Sequence, residues 1–422
     1  MLSYSTLLSF IQNNKDNWKT LLEASPYFLS VTQCPFKDKN GTLIYPELYM
    51  LSYDITRSTM FDPLVRVCRG CIVSVEDINN PKMVCTPFYK FFNYGEKECD
   101  SIDWETSVVL EKVDGSLIKL FNYKNNWIWI TNNGWNIDSD LIDALPCKYQ
   151  ETDTDNLKTY EDLKNYALNK LLSTKELRDE FDELDKEYTY MFELISPKNR
   201  IICEYEKTGL VFLGVRNINT WQEVSAFEFT KRLPILSLFR RPQIFNLRNI
   251  DDILALCNSY KDTANEGVVV CDKNFNRFKI KCQHYLSIKY TKKSFKFSSQ
   301  HILEAYLNGT IDDALANFKE LNIKLDVIKE NYLCFRNLAF SAFKCGLEKY
   351  KKLTDEITDK KVLQKTFYEW ALNTFSDGKN SNKKVQFVLL AKDNNEDRVI
   401  QVVNRTKYAQ MLEYIGENKK CI

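Results

Sequence analysis

The sequence predicts an α+β chain: mostly antiparallel sheets flanked by helices over residues 1–296, then an all-α region over 297–422. Short runs rich in β-branched and aromatic residues recur from Tyr27 to Lys281. Turn signals such as Asn40-Gly41, Asn79-Asn80-Pro81 and Asn132-Asn133-Gly134 separate them. After Lys296 the apolar residues switch to helical spacing.

Taken in order, residues 5–22 bring Leu7, Leu8, Ile11, Trp18, Leu21 and Leu22 to one face of an opening helix. Strands follow at Tyr27–Thr32, Leu43–Tyr53, Gly70–Val75 and Met83–Phe92. Val108–Lys112 and Ser116–Tyr123 are expected to pair as a hairpin around Val113-Asp114-Gly115, with Trp127–Thr131 continuing the sheet. Residues 137–187 turn rich in Glu, Asp, Lys and Leu and read as helices. Strands resume at Tyr188–Ile195, Arg200–Glu204 and Leu210–Asn217. Helices at Ser225–Arg232 and Ile250–Asn258 lead to strands Gly267–Cys271 and Arg277–Lys281. In the last part, helices are expected at His301–Leu307, Ile311–Phe318, Leu325–Lys352 and Asp359–Phe375. Val385–Lys392 fits a strand or a buried helix segment, because so short a run does not separate the two periods.

Bulk chemistry narrows the function. Lys+Arg number 58 against Asp+Glu 57, for a formal charge of +1, which is not the footprint of a protein that coats nucleic acid non-specifically. The 13 cysteines are read as free, mostly buried thiols in a reducing compartment. Cys68-Arg69-Gly70-Cys71 has no second pair at zinc-finger spacing, so no zinc site is expected. With His284 and His301 as the two histidines, histidine-based nucleophilic catalysis is disfavoured. No apolar run approaches the ~18 residues of a membrane span. Met1–Ser9 has neither a basic segment nor a cleavage site, so a cytoplasmic location is expected.

Several polar residues interrupt the strands. Lys112 sits between apolar runs and is followed by Asp114, Gly115 and Ser116. A lysine amine becomes a nucleophile once nearby cations or desolvation draw off its proton, and Gly115 lets a backbone approach a substrate or take a positive φ. The same residues also fit a surface turn with an Asp-Gly corner. Arg69 opens a strand, Lys90 interrupts Phe88-Tyr89-Lys90-Phe91-Phe92, Glu193 stands inside Tyr190–Ile195, and Glu266 precedes Gly267–Val270. Lys279 and Lys281 share one strand face. Singly, each fits a solvated polar face. Jointly they offer cations for phosphates and carboxylates for a divalent metal, the inventory of phosphoryl or nucleotidyl transfer. No Gly-x-x-x-x-Gly-Lys-Ser/Thr loop, dinucleotide fingerprint or protein-kinase motif set occurs.

These residues resemble the covalent nucleotidyltransferases: ATP-dependent RNA and DNA ligases and mRNA capping enzymes. Lys112-Val113-Asp114-Gly115 is similar to their lysine motif, and Phe192-Glu193, Glu266-Gly267-Val268-Val269 and Lys279-Ile280-Lys281 are similar to later motifs in the family's order. Cys68-Arg69-Gly70, Pro87–Asn93 and Phe192–Ile201 narrow the likeness to the tRNA-repair RNA ligases of T-even phages, over about Tyr45–Ser294. The resemblance implies a nucleotidyltransferase domain at 1–296 that uses ATP with Mg²⁺ (or Mn²⁺) and acts on single-stranded RNA or a cleaved tRNA anticodon loop. It implies Lys112 as the residue that carries AMP. Tyr53, Arg69, Lys90, Gly115, Glu193, Lys279 and Lys281 would be nucleotide contacts, and Glu266 with Glu193 would be metal contacts. A monomer without membrane attachment is expected, in the host cytoplasm if the chain is viral. The helical part, 297–422, with Lys289, Lys292, Lys293 and Lys296 before it, is a candidate RNA-selecting region. A DNA ligase or capping enzyme usually carries a β-barrel after the last motif, against the helices expected here. An inactive RNA-binding relative would not need the intact lysines and glutamates.

Overall fold

Short apolar runs become strands because each can bury one face against a neighbouring layer. The computed structural model describes residues 3–54, 57–132, 134–141, 147, 149–260, 265–286, 299–307, 311, 321–375 and 381–418. It is mixed α+β, with two compact units, Met1–Lys293 and Ser294–Ile422.

In the first unit, β1 (Leu29–Gln33), β2 (Leu48–Tyr53), β3 (Arg69–Ser74) and β4 (Lys82–Cys85) form an antiparallel sheet in that order. Ten further strands follow: β5 (Phe92–Asn93), β6 (Val108–Lys112), β7 (Ser116–Tyr123), β8 (Asn126–Thr131), β9 (Tyr188–Ile195), β10 (Gly209–Asn217), β11 (Glu223–Ser225), β12 (Ile244–Phe245), β13 (Gly267–Cys271) and β14 (Arg277–Lys281). They make two five-stranded sheets, β11-β10-β9-β7-β8 and β12-β6-β13-β14-β5. All pairings are antiparallel except β14 with β5.

This topology corrects the expected hairpin. β6 and β7 do not pair; they belong to different sheets, and Val113-Asp114-Gly115 is the crossover between them. Local turn chemistry favours a hairpin, but β6 finds its partners in β13 and β12, and β7 in β9 and β8. The opening helix is also corrected. It is two helices, Ser5–Asn13 and Trp18–Glu23, whose Leu7, Ile11, Trp18 and Leu22 are buried on the first sheet. The Leu43–Tyr53 and Met83–Phe92 runs give shorter strands, the latter split by Thr86–Phe91. Arg200–Glu204 is not a strand; a 3₁₀ turn at Pro197–Asn199 leads into irregular chain whose amides serve a side chain, described below.

The residues at 137–187 include helices at Tyr160–Leu171 and Lys175–Asp182. The first is opened by a reciprocal cap, Thr159 with Asp162. Leu163, Ala167, Phe181 and Leu184 pack on Tyr190, Phe192, Phe212 and Phe239, so this stretch covers one face of the second sheet. Strand alternation then turns Glu193 the other way. The buried Glu151 ties the stretch down, accepting from the Thr208 amide at 2.7 Å and from Lys170 at 2.7 Å.

The second unit is helical. A 36-residue helix, Leu321–Glu356, packs with Lys360–Phe375, Ser381–Leu389, Glu396–Arg405 and Tyr408–Asn418. Val385–Lys392 is therefore helical, running from that third helix into a 3₁₀ turn, with Phe387 and Val388 fully buried. Of Ile311–Phe318 only Ile311 is described, and Lys289, Lys292, Lys293 and Lys296 lie outside the described residues.

Gly115 ends the crossover against β9. A Cβ there would overlap the Leu194 carbonyl oxygen and stand 3.0 Å from Glu193 Cγ. Its φ is not positive, so close packing, not turn conformation, is what requires glycine. Gly115→Ala is expected to cost about 1–3 kcal/mol, read as a lower urea midpoint; an unchanged midpoint would mean the crossover yields freely.

Candidate active site

One carboxylate joins three strands of the third sheet. β13 lies between β6 and β14, and Gly267 stands opposite both Lys112 and Lys281. The neighbouring Glu266 is 3% exposed. Its Oε2 takes Lys112 Nζ at 2.5 Å and its Oε1 takes Lys281 Nζ at 2.8 Å. Gly267 has φ +151°, and a Cβ would overlap the Ile280 carbonyl oxygen, so glycine is required beside the acid. Burial pushes the Glu266 carboxyl up, but Lys112 and Lys281 outweigh it and hold it at about 2.

The crossover after Lys112 is fastened by Asp114, which is 4% exposed. Its Oδ2 accepts the Ile202 and Cys203 amides at 2.9 and 2.8 Å, and its Oδ1 accepts the Tyr285 hydroxyl at 2.8 Å. Its own amide donates to Tyr205 Oη at 2.9 Å. Burial and the nearby Glu266 raise the Asp114 carboxyl, against those three donors. The Ser196–Ile201 segment adds a second brace, Asn199 Nδ2 to Ser116 Oγ at 3.0 Å. Thus the loop expected to be a strand is what clamps the turn after Lys112.

A cavity of about 1020 Å³ opens beside this turn. Of the residues singled out in the sequence, Arg69, Lys112, Gly115 and Glu193 line it. Burial, with Glu266 and Asp114 nearby, pushes the Glu193 carboxyl up to about 8, against the pull of Lys112 and Arg69. Glu266 and Lys281 lie behind Lys112 and join the cavity through it. Lys279 stands 5.9 Å from the ring of Phe91, a lining residue that Arg69 also approaches, at 5.8 Å. Lys90 and Tyr53 are off the lining and face each other, 5.6 Å from ammonium to ring centre. The sequence motifs thus fall into a tight core and a looser flank.

Sequence reading missed Lys119, which is fully buried on β7. Its ammonium donates to the Gly70 carbonyl at 2.6 Å and the Asn132 carbonyl at 3.4 Å, joining β3 to the end of β8. Burial lowers it to about 8, against the pull of Cys85 and Cys71. It also missed Arg277, which lines the cavity and is paired with Glu223; Glu223 holds Arg216 as well, at 2.6 Å. Strand alternation could have flagged Lys119, a charge in Leu117–Phe121 with apolar neighbours on both sides.

The family profile described as RNA ligase matches residues 67–286. The chain belongs to the RNA ligase family. The matched span takes in the clamp, the crossover and its brace. Among individual relatives of this RNA ligase family member, a baculovirus protein (Autographa californica nuclear polyhedrosis virus) provisionally named bifunctional polynucleotide kinase/RNA ligase is 27% identical over 303 residues, 68% of this chain. The match spans 40% of that relative's own length. The RNA ligase of Rhodothermus phage RM378 is 22% identical over 362 residues, covering 74% of this chain and 78% of the phage protein. Among solved structures, Naegleria gruberi RNA ligase with pyrophosphate is 14% identical over 52% of this chain and 67% of its own, at TM-score 0.32. A provisionally named ATP-dependent DNA ligase from Aquifex aeolicus is 15% identical over 74% and 73%, at TM-score 0.42. Overlaps this loose say nothing about function by themselves.

Glu266→Gln is expected to destabilise the chain by about 3 kcal/mol at pH 7, because it leaves two ammoniums facing a buried neutral amide. The sign follows from linkage. A carboxyl held at about 2, below its ordinary 4.5, stabilises the fold above pH 4.5 and loses that contribution as pH falls towards 2. The gap between wild type and variant should therefore narrow on acidification, read by denaturant titration at pH 7 and pH 3. A gap that stays constant with pH would contradict the clamp.

Proposed function

We propose that this chain is an ATP-dependent RNA ligase that joins a 3′-hydroxyl to a 5′-phosphate through AMP carried on Lys112. The observation that carries the reading is the Glu266 clamp: it sets Lys112 beside Lys281 at the edge of a nucleotide-sized cavity, in a chain of the RNA ligase family.

The chemistry is in-line displacement. The neutral Lys112 amine attacks the α-phosphorus of ATP; an N–P bond forms, the P–O bond to pyrophosphate breaks, and pyrophosphate takes the electron pair. To do so Lys112 leaves Glu266 and gives up its ammonium protons to solvent, and Lys281, on the other oxygen of that carboxylate, keeps it from standing unpaired. Lys279 is assigned to the α-phosphate and Lys281 to the departing pyrophosphate. Arg69 and Lys90, the latter with Tyr53, are assigned to the nucleotide, and Glu193 to the ribose. Gly115 keeps the crossover close enough to β9 that Lys112 and Glu193 share one wall.

Glu193 and Glu266 also suit a divalent cation. Burial and the neighbouring acids keep the Glu193 carboxyl reluctant to ionise, and a cation beside it would favour its ionised form. Mg²⁺ is commonly held by one or two carboxylates with substrate phosphates completing its shell. Mg²⁺ or Mn²⁺, when bound, neutralises charge building on the phosphate oxygens. Residues 297–422 contain none of the assigned residues, so we assign them choice of RNA, with a broken tRNA anticodon loop as one candidate, and leave the chemistry to 1–296.

Incubation with α-labelled ATP and Mg²⁺, then denaturing electrophoresis, tests the reading. The chain should carry acid-labile label that Lys112→Ala abolishes, a loss of at least about 100-fold as expected for removing a covalent nucleophile. No label on wild type would overturn it.

A further inference from the structure

The cavity has two ends of different chemistry. Around Phe88, Phe91, Leu110, Leu213 and Val269 its wall is apolar and aromatic. The other end is walled by Thr131, Asn132, Trp135, Asn136, Ser139 and Tyr160, from the end of β8 and the stretch that follows it. Asp140 is the one charge among the described lining residues of that stretch. The two ends meet near Arg69: the shared Lys119 ammonium holds the Gly70 carbonyl, one residue on, beside that of Asn132.

We propose that this polar arm receives the first nucleoside of the 5′-phosphorylated RNA strand, base inward and phosphate turned towards Arg69 and Lys112. The inference rests on the ligase reading and adds the placement of a second substrate. A phosphate would not choose the arm, whose described lining residues offer it a carboxylate and no cation beyond Arg69 at its neck. A base would. Amide and hydroxyl groups match the donors and acceptors of a base edge, and Asp140 can accept from an exocyclic amine. Trp135 is fixed as a wall, its Nε1 donating to the Thr32 carbonyl at 3.2 Å and its ring meeting Phe36 edge-on. Tyr160, 7% exposed and otherwise packed in the core, lends an aromatic edge to the lining. Thr32, Asn136, Ser139 and Asp140 are exposed, so the strand can continue into solvent.

Size and sequence of events agree. About 1020 Å³ lies at the upper end of the ~300–1,000 Å³ typical of small-ligand sites, which leaves room beyond one mononucleotide. In the second step an oxygen of the RNA 5′-phosphate attacks the phosphorus on Lys112. A P–O bond forms, the N–P bond breaks, and the electron pair returns to the lysine nitrogen, which regains a proton from solvent. The terminal nucleoside must then lie within one nucleotide of Lys112, and the arm is part of the cavity that Lys112 lines. This gives Trp135, Asn136, Ser139 and Asp140 a role in the site.

The test uses the 422-residue chain pre-charged with labelled AMP, mixed with 5′-phosphorylated oligoribonucleotides that end in a base or in an abasic ribose at the first position. For wild type, the abasic end should raise the half-saturating concentration for AMP transfer about tenfold. In Asn136→Ala/Ser139→Ala/Asp140→Ala, and separately in Asp140→Asn, that preference should shrink towards none, while label still loads onto Lys112 from ATP. Equal half-saturation for both oligonucleotides in wild type, or an undiminished preference in both variants, overturns the arm and leaves the ligase reading standing. Failure of wild type to load label overturns both.

Discussion

The site depends on one carboxylate shared by two ammoniums. Glu266 is buried, and a buried charge without partners is expensive. Lys112 and Lys281 answer it from strands on either side. The arrangement fixes the register of three strands and at the same time stores two cations beside the cavity. Any change that frees Lys112 must leave Glu266 compensated, and Lys281 is already in place to do that. The ion pair is structural at rest, and on the proposed reading Lys112 leaves it to react.

The second constraint is the crossover. Lys112 ends a strand of one sheet, and Ser116 begins a strand of another. A free connection there would let the lysine wander. Asp114 prevents it by taking two amides and a hydroxyl, while Val113 packs with Ile195 and Val211. Each brace comes from a different part of the chain, so the turn is rigid only when the whole first unit is folded. Helices 160–171 and 175–182 contribute indirectly, by packing on β9 and β10 from the far side.

Much of this was legible in the sequence, and the reasons for the misses are physical. A continuous apolar run located β9, which is buried on both faces, and alternation located β14, buried on one; Glu193, Lys279 and Lys281 stood out as interruptions. Neither pattern could say that β6 pairs with β13, more than 150 residues away by the Lys112–Glu266 bond, rather than with adjacent β7. Pairing is a long-range choice, and a tight Asp-Gly turn argues locally for the wrong partner. Arg200–Glu204 looked extended and apolar enough for a strand, yet its neighbouring amides at Ile202 and Cys203 are consumed by Asp114. Alternation could flag Lys119 as a charge inside an apolar run but not its role, because its partners are backbone carbonyls that leave no trace in the side-chain pattern.

The central claim is that, of the three lysines on this face, Lys112 makes the covalent bond. Peptide mapping by mass spectrometry after incubation with ATP and Mg²⁺ tests it most directly. The account predicts AMP on the peptide containing Lys112, with Lys279 and Lys281 unmodified. AMP on either of those two lysines, with Lys112 bare, would contradict it.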